Sequence, residues 1–239
     1  ILAGFLSLWP QDVRELSKKI VTATKLCYDK IAAEKLPTPA KSHYTFNLRD
    51  FGKVIQGVLQ VNPDVVSEKD GVVRLWLHEV SRVFHDRLTD ETDKRWWWQT
   101  LSSVVESEFE MPWIESYETV IFGDYMRNSN RVYEEIEDVS LVQDKLVDIQ
   151  SMYNVEFNKE EELVFFNDAV HHLSRICRIC RQPRGNALLV GVGGSGRQSL
   201  SRLAAFVCQM ELFQIAITRS YGVNEFRDDL KKVLMTGGC

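Results

Sequence analysis

Gly191, Gly193, Gly194 and Gly196 fall within six residues and run directly into Arg197, Gln198 and Ser199. Glycines spaced this closely let backbone N–H groups turn toward an anion, and a helix starting just after them adds the positive end of its dipole. The spacing Gly191-x-x-x-x-Gly196 is that of a phosphate-binding loop. In such loops the next two positions carry a Lys that reaches the β- and γ-phosphates and a Ser or Thr that holds Mg²⁺. Here they are Arg197 and Gln198. A guanidinium binds phosphate as a planar fork, bulkier than an ammonium. The Gln198 amide oxygen is a weaker Mg²⁺ ligand than a hydroxyl, and Ser199 is its possible substitute. The expected site therefore comprises Gly191, Val192, Gly193, Gly194, Ser195, Gly196, Arg197, Gln198 and Ser199, with altered or impaired chemistry.

Two rival readings use the same glycines. Gly191-x-Gly193-x-x-Gly196 also fits a dinucleotide fingerprint, which wants an acidic residue at the end of the next strand to hold the ribose. The next strand candidate, Leu212–Thr218, ends in Arg219, and little chain follows for a doubly wound domain. A purely structural glycine turn is the other alternative.

A phosphate loop needs a strand before it and a helix after it. Ala187–Val190 is a short apolar run that reads as a buried strand, and Leu200, Leu203, Ala204 and Val207 recur as one face of a helix. Leu212–Thr218 reads as a second strand. Upstream, the pattern predicts helices over 141–153 and 159–180. The latter carries Leu163, Phe166, Val170, Leu173, Cys177 and Cys180 on one face. Cys177-Arg-Ile-Cys180 lacks a second cysteine pair or a spaced histidine pair, so packed thiols are the simpler reading than a metal or redox site. Before these helices come Val120–Phe122, Gly123-Asp124-Tyr125 and a polar loop through Asn128 and Asn130.

The first hundred residues read as helical. A helix over 11–34 places Val13, Leu16, Ile20, Ala23, Cys27 and Ile31 on one face, and Leu36-Pro-Thr-Pro-Ala40 stops it. Asn47 is a good N-cap with Asp50 three residues on, followed by Phe51, Val54, Ile55, Val58 and Leu59 as a core stripe. Arg49 lies about 200° from Phe51 and points away from that stripe, as an ordinary surface arginine would. A third helix over 72–88 carries Val73, Leu77, Val80, Phe84 and Leu88. Trp96-Trp97-Trp98 cannot all face one core, so at least one is expected to touch a partner surface or neighbouring module. A boundary is expected near 100–115.

Hydrophobic content of 44% and charged content of 26% are ordinary for a soluble globular chain. A net charge of −5 gives no electrostatic reason to expect nucleic acid or an anionic membrane. No apolar run approaches the roughly 18 residues that span a bilayer. The five cysteines, including Cys27, Cys208 and Cys239, suit a reducing compartment. The chain opens at Ile1 with no leader-like segment and reads as a piece of a longer protein.

Three long motifs, in this order, resemble the dynein heavy chain, particularly its axonemal members. Pro39-Ala-Lys-Ser-His-Tyr-Thr-Phe-Asn-Leu-Arg-Asp50 is similar to a segment in the helical lid of that family's third AAA+ module. Pro183–Leu200 is similar to the phosphate loop of the fourth, and Tyr221–Leu230 to the segment after that module's second strand. The resemblance implies an α/β fold with a helical N-terminal half: a lid over 1–110, then the partial P-loop NTPase α/β subdomain of the next module over 111–239. It implies ATP or ADP with Mg²⁺ at Gly191–Ser199, and Gly123 and Asp124 near the adenine. Arg49 would sense the phosphates of a nucleotide held by the preceding large subdomain. Many axonemal relatives carry Lys at the position of Arg197, whereas Gln at position 198 is usual among them. The implied parent is an ATP-hydrolysing, microtubule-based motor of the cytoplasm and the ciliary axoneme. Its partners would be neighbouring AAA+ modules, microtubules and other dynein chains, with no nucleic acid and no membrane. The implied role of this piece is regulatory or structural, with no activity by itself. A stand-alone, kinase-like P-loop enzyme and a ligand-free scaffold are the alternatives.

Overall fold

The computed structural model describes residues 1–127, 129–160 and 162–237; Asn128 and Cys239 lie outside them. The α-helices are α1 (Leu2–Phe5), α2 (Gln11–Glu34), α3 (Leu48–Val58), α4 (Lys69–Val83), α5 (Glu91–Val104), α6 (Val139–Phe157), α7 (Asn167–Arg181), α8 (Arg197–Val207) and α9 (Val223–Gly237). Among the described residues the one sheet is a two-stranded antiparallel pair, β1 (Phe122–Gly123) with β2 (Glu134–Glu135), in the register Phe122↔Glu135 and Gly123↔Glu134.

Helices α2 to α5 pack around one hydrophobic cluster, and the residues expected to line α2 and α4 are all buried in it. Aromatic rings fill its centre: Trp76 lies on Phe109, and Phe84 on Trp97. Of the three consecutive tryptophans, Trp97 is fully buried. Trp96 donates its indole N–H to Glu34 at 2.8 Å under the Lys35 ammonium, and Trp98 stacks on His85 and Trp113. Each of the three thus finds a place against its own chain. After α5 the chain passes through a π-turn, Val105–Phe109, and reverses at Glu110 with φ 58°. Tyr117, Val120, Phe122 and Tyr133 still pack into this first cluster.

A second, smaller cluster joins α6, α7 and α8. Helix α7 begins at Asn167 rather than at 159, because Asn158 takes a left-handed conformation that ends α6 and Phe166 is extended. Phe166 is consequently exposed instead of lying on the helix face, while Leu163 still packs against the cluster. Cys177 and Cys208 are buried here, with the Cys208 thiol 3.7 Å from the Cys177 carbonyl; its hydrogen bond to Cys177 and its burial raise its pKa to about 12.

The two expected strands differ from the structure. Ala187–Val190 and Leu212–Thr218 carry no ladder, and Leu188, Val190 and Ile217 are 88, 84 and 83% exposed. A strand is completed by the N–H and C=O groups of a neighbour. Neither segment forms a backbone ladder among the described residues, although the Gln214 side chain accepts from Arg202 at 2.9 Å. Helix α9 likewise buries none of its residues.

Candidate nucleotide-binding site

Gly194 and Gly196 sit at φ 79° and 74°, the left-handed region that side chains with a Cβ avoid. Gly196 is the N-cap of α8, so the turn closes directly onto the helix start. The backbone N–H groups of Arg197, Gln198 and Ser199 precede the first intrahelical bond, which Leu200 makes to the Gly196 carbonyl at 2.9 Å. These orphan donors and the dipole of an eleven-residue helix face one loop, as an anion site requires. The Ser195 N–H turns back to the Val192 carbonyl at 3.4 Å.

Arg197 does not reach into open space. Its Nη2 donates to the Val192 carbonyl at 3.0 Å, so the guanidinium folds across the loop it belongs to. Gln198 is exposed and Ser199 half-buried on the first turn of α8. A cavity of about 250 Å³ opens beside them, lined by Arg197, Gln198, Ser201, Arg202 and the start of the apolar run, Leu212 and Phe213. The described residues contain no cluster of three or more His, Cys, Asp or Glu side chains able to hold a metal.

Gly123 is buried in β1 and Asp124 is half-buried just after it, apart from the loop. Asp124 pairs with Nε of Arg181, the last residue of α7, at 3.0 Å. Both glycine and aspartate line a separate cavity of about 250 Å³ with Gln60, Arg131, Arg178 and Arg181, and no residue of Gly191–Ser199 lines it. The link to the loop runs through the chain, since α7 ends five residues before Asn186.

Arg49 belongs to the first half. The Asn47 side chain accepts from the Arg49 N–H at 2.9 Å, and Asp50 returns a bond to the Asn47 N–H at 3.0 Å, which completes the expected capping box. Arg87 braces this turn, donating to Asp50 at 2.9 Å and to the His43 and Thr45 carbonyls. Downstream, on α5, Asp93 gathers Lys35, Lys41 and the Tyr44 hydroxyl. Burial alone would raise the Asp93 carboxyl, but these three partners hold it down at about 2. The result is an exposed Arg49 on a rigid turn, touching none of the loop glycines.

The sequence patterns missed the polar junction between the two clusters. Glu79 on α4 is fully buried and accepts from Arg178 of α7, ninety-nine residues away, with Nε at 3.0 and 3.2 Å from its two oxygens. The Tyr133 hydroxyl donates to the same carboxylate at 2.6 Å. Burial pushes the Glu79 carboxyl up, and the Arg178 charge and hydrogen bonds outweigh it, leaving the group below the usual carboxylate range. Next to it His78 donates Nδ1–H to the Val120 carbonyl, and burial holds its pKa down at about 3. A signal did exist: Glu79 shares a helical face with Trp76, Val80 and Val83, where an unpartnered acid would be costly.

Two family models match the chain. One, described as the AAA+ lid domain, covers residues 20–111, and one described as P-loop containing dynein motor region D4 covers 162–239. Human dynein axonemal heavy chain 6 is 43% identical over the whole of this chain and 6% of its own length. Mouse dynein axonemal heavy chain 1 is 43% identical over 95% of the chain and 5% of its own length. Mouse heavy chain 12 is 41% identical over 92% and 8%. This chain belongs to the axonemal dynein heavy chains. It spans between 5 and 8% of the length of these relatives. The helical cluster is thus an AAA+ lid and the glycine loop part of a P-loop module. No described helix is long and apolar enough to cross a membrane.

Proposed function

We propose that Gly191–Ser199 holds the phosphates of ATP or ADP in the fourth AAA+ module of a microtubule-based axonemal dynein, and that residues 1–110 form the lid of the third. In this reading Gly123 and Asp124 serve the base end of the nucleotide. Arg49 faces a different nucleotide, held by the large subdomain preceding its lid. The parent would work on microtubules in the ciliary axoneme, with its main hydrolytic site in another module and this one tuning or bracing the ring. The observation that carries the reading is the pair of left-handed glycines ending at the N-cap of α8. Arg197 and Gln198 carry its regulatory side, since neither supplies the usual lysine or Mg²⁺ hydroxyl. Mg²⁺, when bound with nucleotide, would neutralise phosphate charge, and Gln198 or Ser199 would offer it an oxygen.

Fluorescent ADP and ATP analogues titrated onto the chain test this. Gly196→Val forces a branched side chain into a left-handed turn at about 1–2 kcal/mol, so binding is expected to weaken roughly tenfold or more. Binding that survives this change unaltered leaves the loop as a structural turn. Mg²⁺-dependent ATP turnover by the chain, lost in Gly196→Val, would refute the regulatory role.

A further inference from the structure

Helix α7 carries arginines at every third position, and each reaches an acid on a different element. Arg175 Nε lies 3.1 Å from Asp86 in the turn after α4. Arg178 grips Glu79 on α4, and Arg181 holds Asp124 beside β1. Two of the three acids belong to the lid half. The opposite side of α7 packs closely along α8, whose N-cap is Gly196. Lid carboxylates therefore fix α7, and α7 fixes the helix on which the phosphate loop closes.

The middle rung is the tightest. Glu79 is squeezed against α3, where a Cβ on Gly57 would lie 1.6 Å from its Oε2. A side chain at 57 has no room unless the carboxylate leaves its place. Gly57 belongs to α3, outside both α7 and the loop, yet it bounds the space in which the Arg178 partner sits.

We propose that Glu79, through Arg178, is a positioning residue for the phosphate loop: the lid sets the geometry of the next module's nucleotide site through this arginine ladder. The inference rests on the nucleotide-binding reading above, and its test separates the two. Gly57→Ala displaces the carboxylate without altering any charge or any residue of the site. In the full 239-residue chain, affinity for a fluorescent ADP analogue is expected to fall about tenfold, the scale seen when outer-shell orienting groups are lost. Glu79→Asp in the Gly57→Ala background shortens the acid by one methylene and should recover most of that affinity. Because the shorter acid relieves the clash and any destabilisation together, urea denaturation is run on each variant: an affinity loss at unchanged stability supports positioning, and a loss that merely tracks stability overturns it. Hydrogen exchange supplies a second readout that needs no nucleotide. Amides over 182–199 should exchange faster in Gly57→Ala, while those of α2 stay protected. Unchanged exchange over 182–199 overturns the inference whether or not nucleotide binds. Failure of the unmutated chain to bind any nucleotide, with faster exchange in Gly57→Ala, sinks the functional reading and leaves the coupling standing.

Discussion

The lid half and the phosphate-loop half of this chain are built by different rules. In the lid half each helix covers its apolar face with another helix of the same stretch, so Trp76, Phe84, Trp97 and Phe109 reach full burial. In the loop half α7 and α8 do the same, but Ala187–Val192, Leu212–Thr218 and α9 keep their apolar side chains in solvent. A helix satisfies its own backbone and needs only a surface to lie on. A strand needs a neighbour for its backbone before burial can begin. The loop between these segments is shaped by its glycines and by α8, independently of any ladder.

The largest effect that this contrast forecasts is in the cores. Trp76→Ala deletes a fully buried ring that also donates to Thr24 at 2.9 Å, and should cost about 3–5 kcal/mol in a urea denaturation series. Phe213→Ala, at a partly exposed ring of the loop half, should cost less than about 1 kcal/mol. Similar costs at the two sites would erase the distinction drawn above.

Acid should act next, and on the lid half first. The unfolded chain takes up a proton at His78 near pH 6.5, whereas burial keeps the folded imidazole neutral down to about pH 3. Between those values the unfolded state binds more protons. Stability therefore falls as pH drops through that window, by up to about 1.4 kcal/mol per pH unit. Asp93 adds to the loss below about pH 4, since its carboxyl is ionised in the fold down to about 2. His78→Asn keeps a donor for the Val120 carbonyl and should flatten the slope between pH 6.5 and 4; an unchanged slope would assign it to other groups.

Arg197→Ala should weaken nucleotide binding modestly. Bound phosphate would gain a charge-assisted contact of about 1.5–3 kcal/mol, offset by loss of the Val192 hydrogen bond at about 0.5–1.5 kcal/mol, for a net of about 1.3 kcal/mol at mid-range, roughly an eightfold loss. Arg197→Lys should hold affinity or improve it, because an ammonium suits the cradle better. Tighter binding in Arg197→Ala would mean that the self-contact dominates. The smallest effect is expected at Leu188→Asp, within about 0.5 kcal/mol of unmutated stability, because this side chain is nearly as exposed folded as unfolded. A multi-kcal/mol loss there would show that the segment is covered in solution.

Helices were legible because their signals are local. The α2 stripe, the proline stop after it and the Asn47–Asp50 box each act within a few residues, and the structure reproduces them. The loop was legible for the same reason, from glycine spacing alone. The start of α7 was not, since periodicity ran on through Leu163 and Phe166 while Asn158 turned left-handed and broke it. The arginine ladder was hidden more deeply. A spacing of three on α7 reads equally as a solvated face, and only the fold brings Asp86, Glu79 and Asp124 to meet it.

The bare segment Leu212–Thr218 also bears on how the chain behaves in a test tube. It holds no charge and no proline across seven residues, four of them β-branched or aromatic, the composition of a self-pairing strand. Glu211 and Arg219 stand at its two ends, where charged residues act as gatekeepers against stacking. In a parallel, in-register stack each of these charges faces its own like, and the repulsion reaches about 10 Å at 0.1 M salt and about 3 Å at 1 M. Concentrated solutions of the chain should therefore cloud faster as salt is added, which static light scattering would follow. Purification in dilute buffer, with the charges unscreened, is the condition under which the chain keeps its own company least.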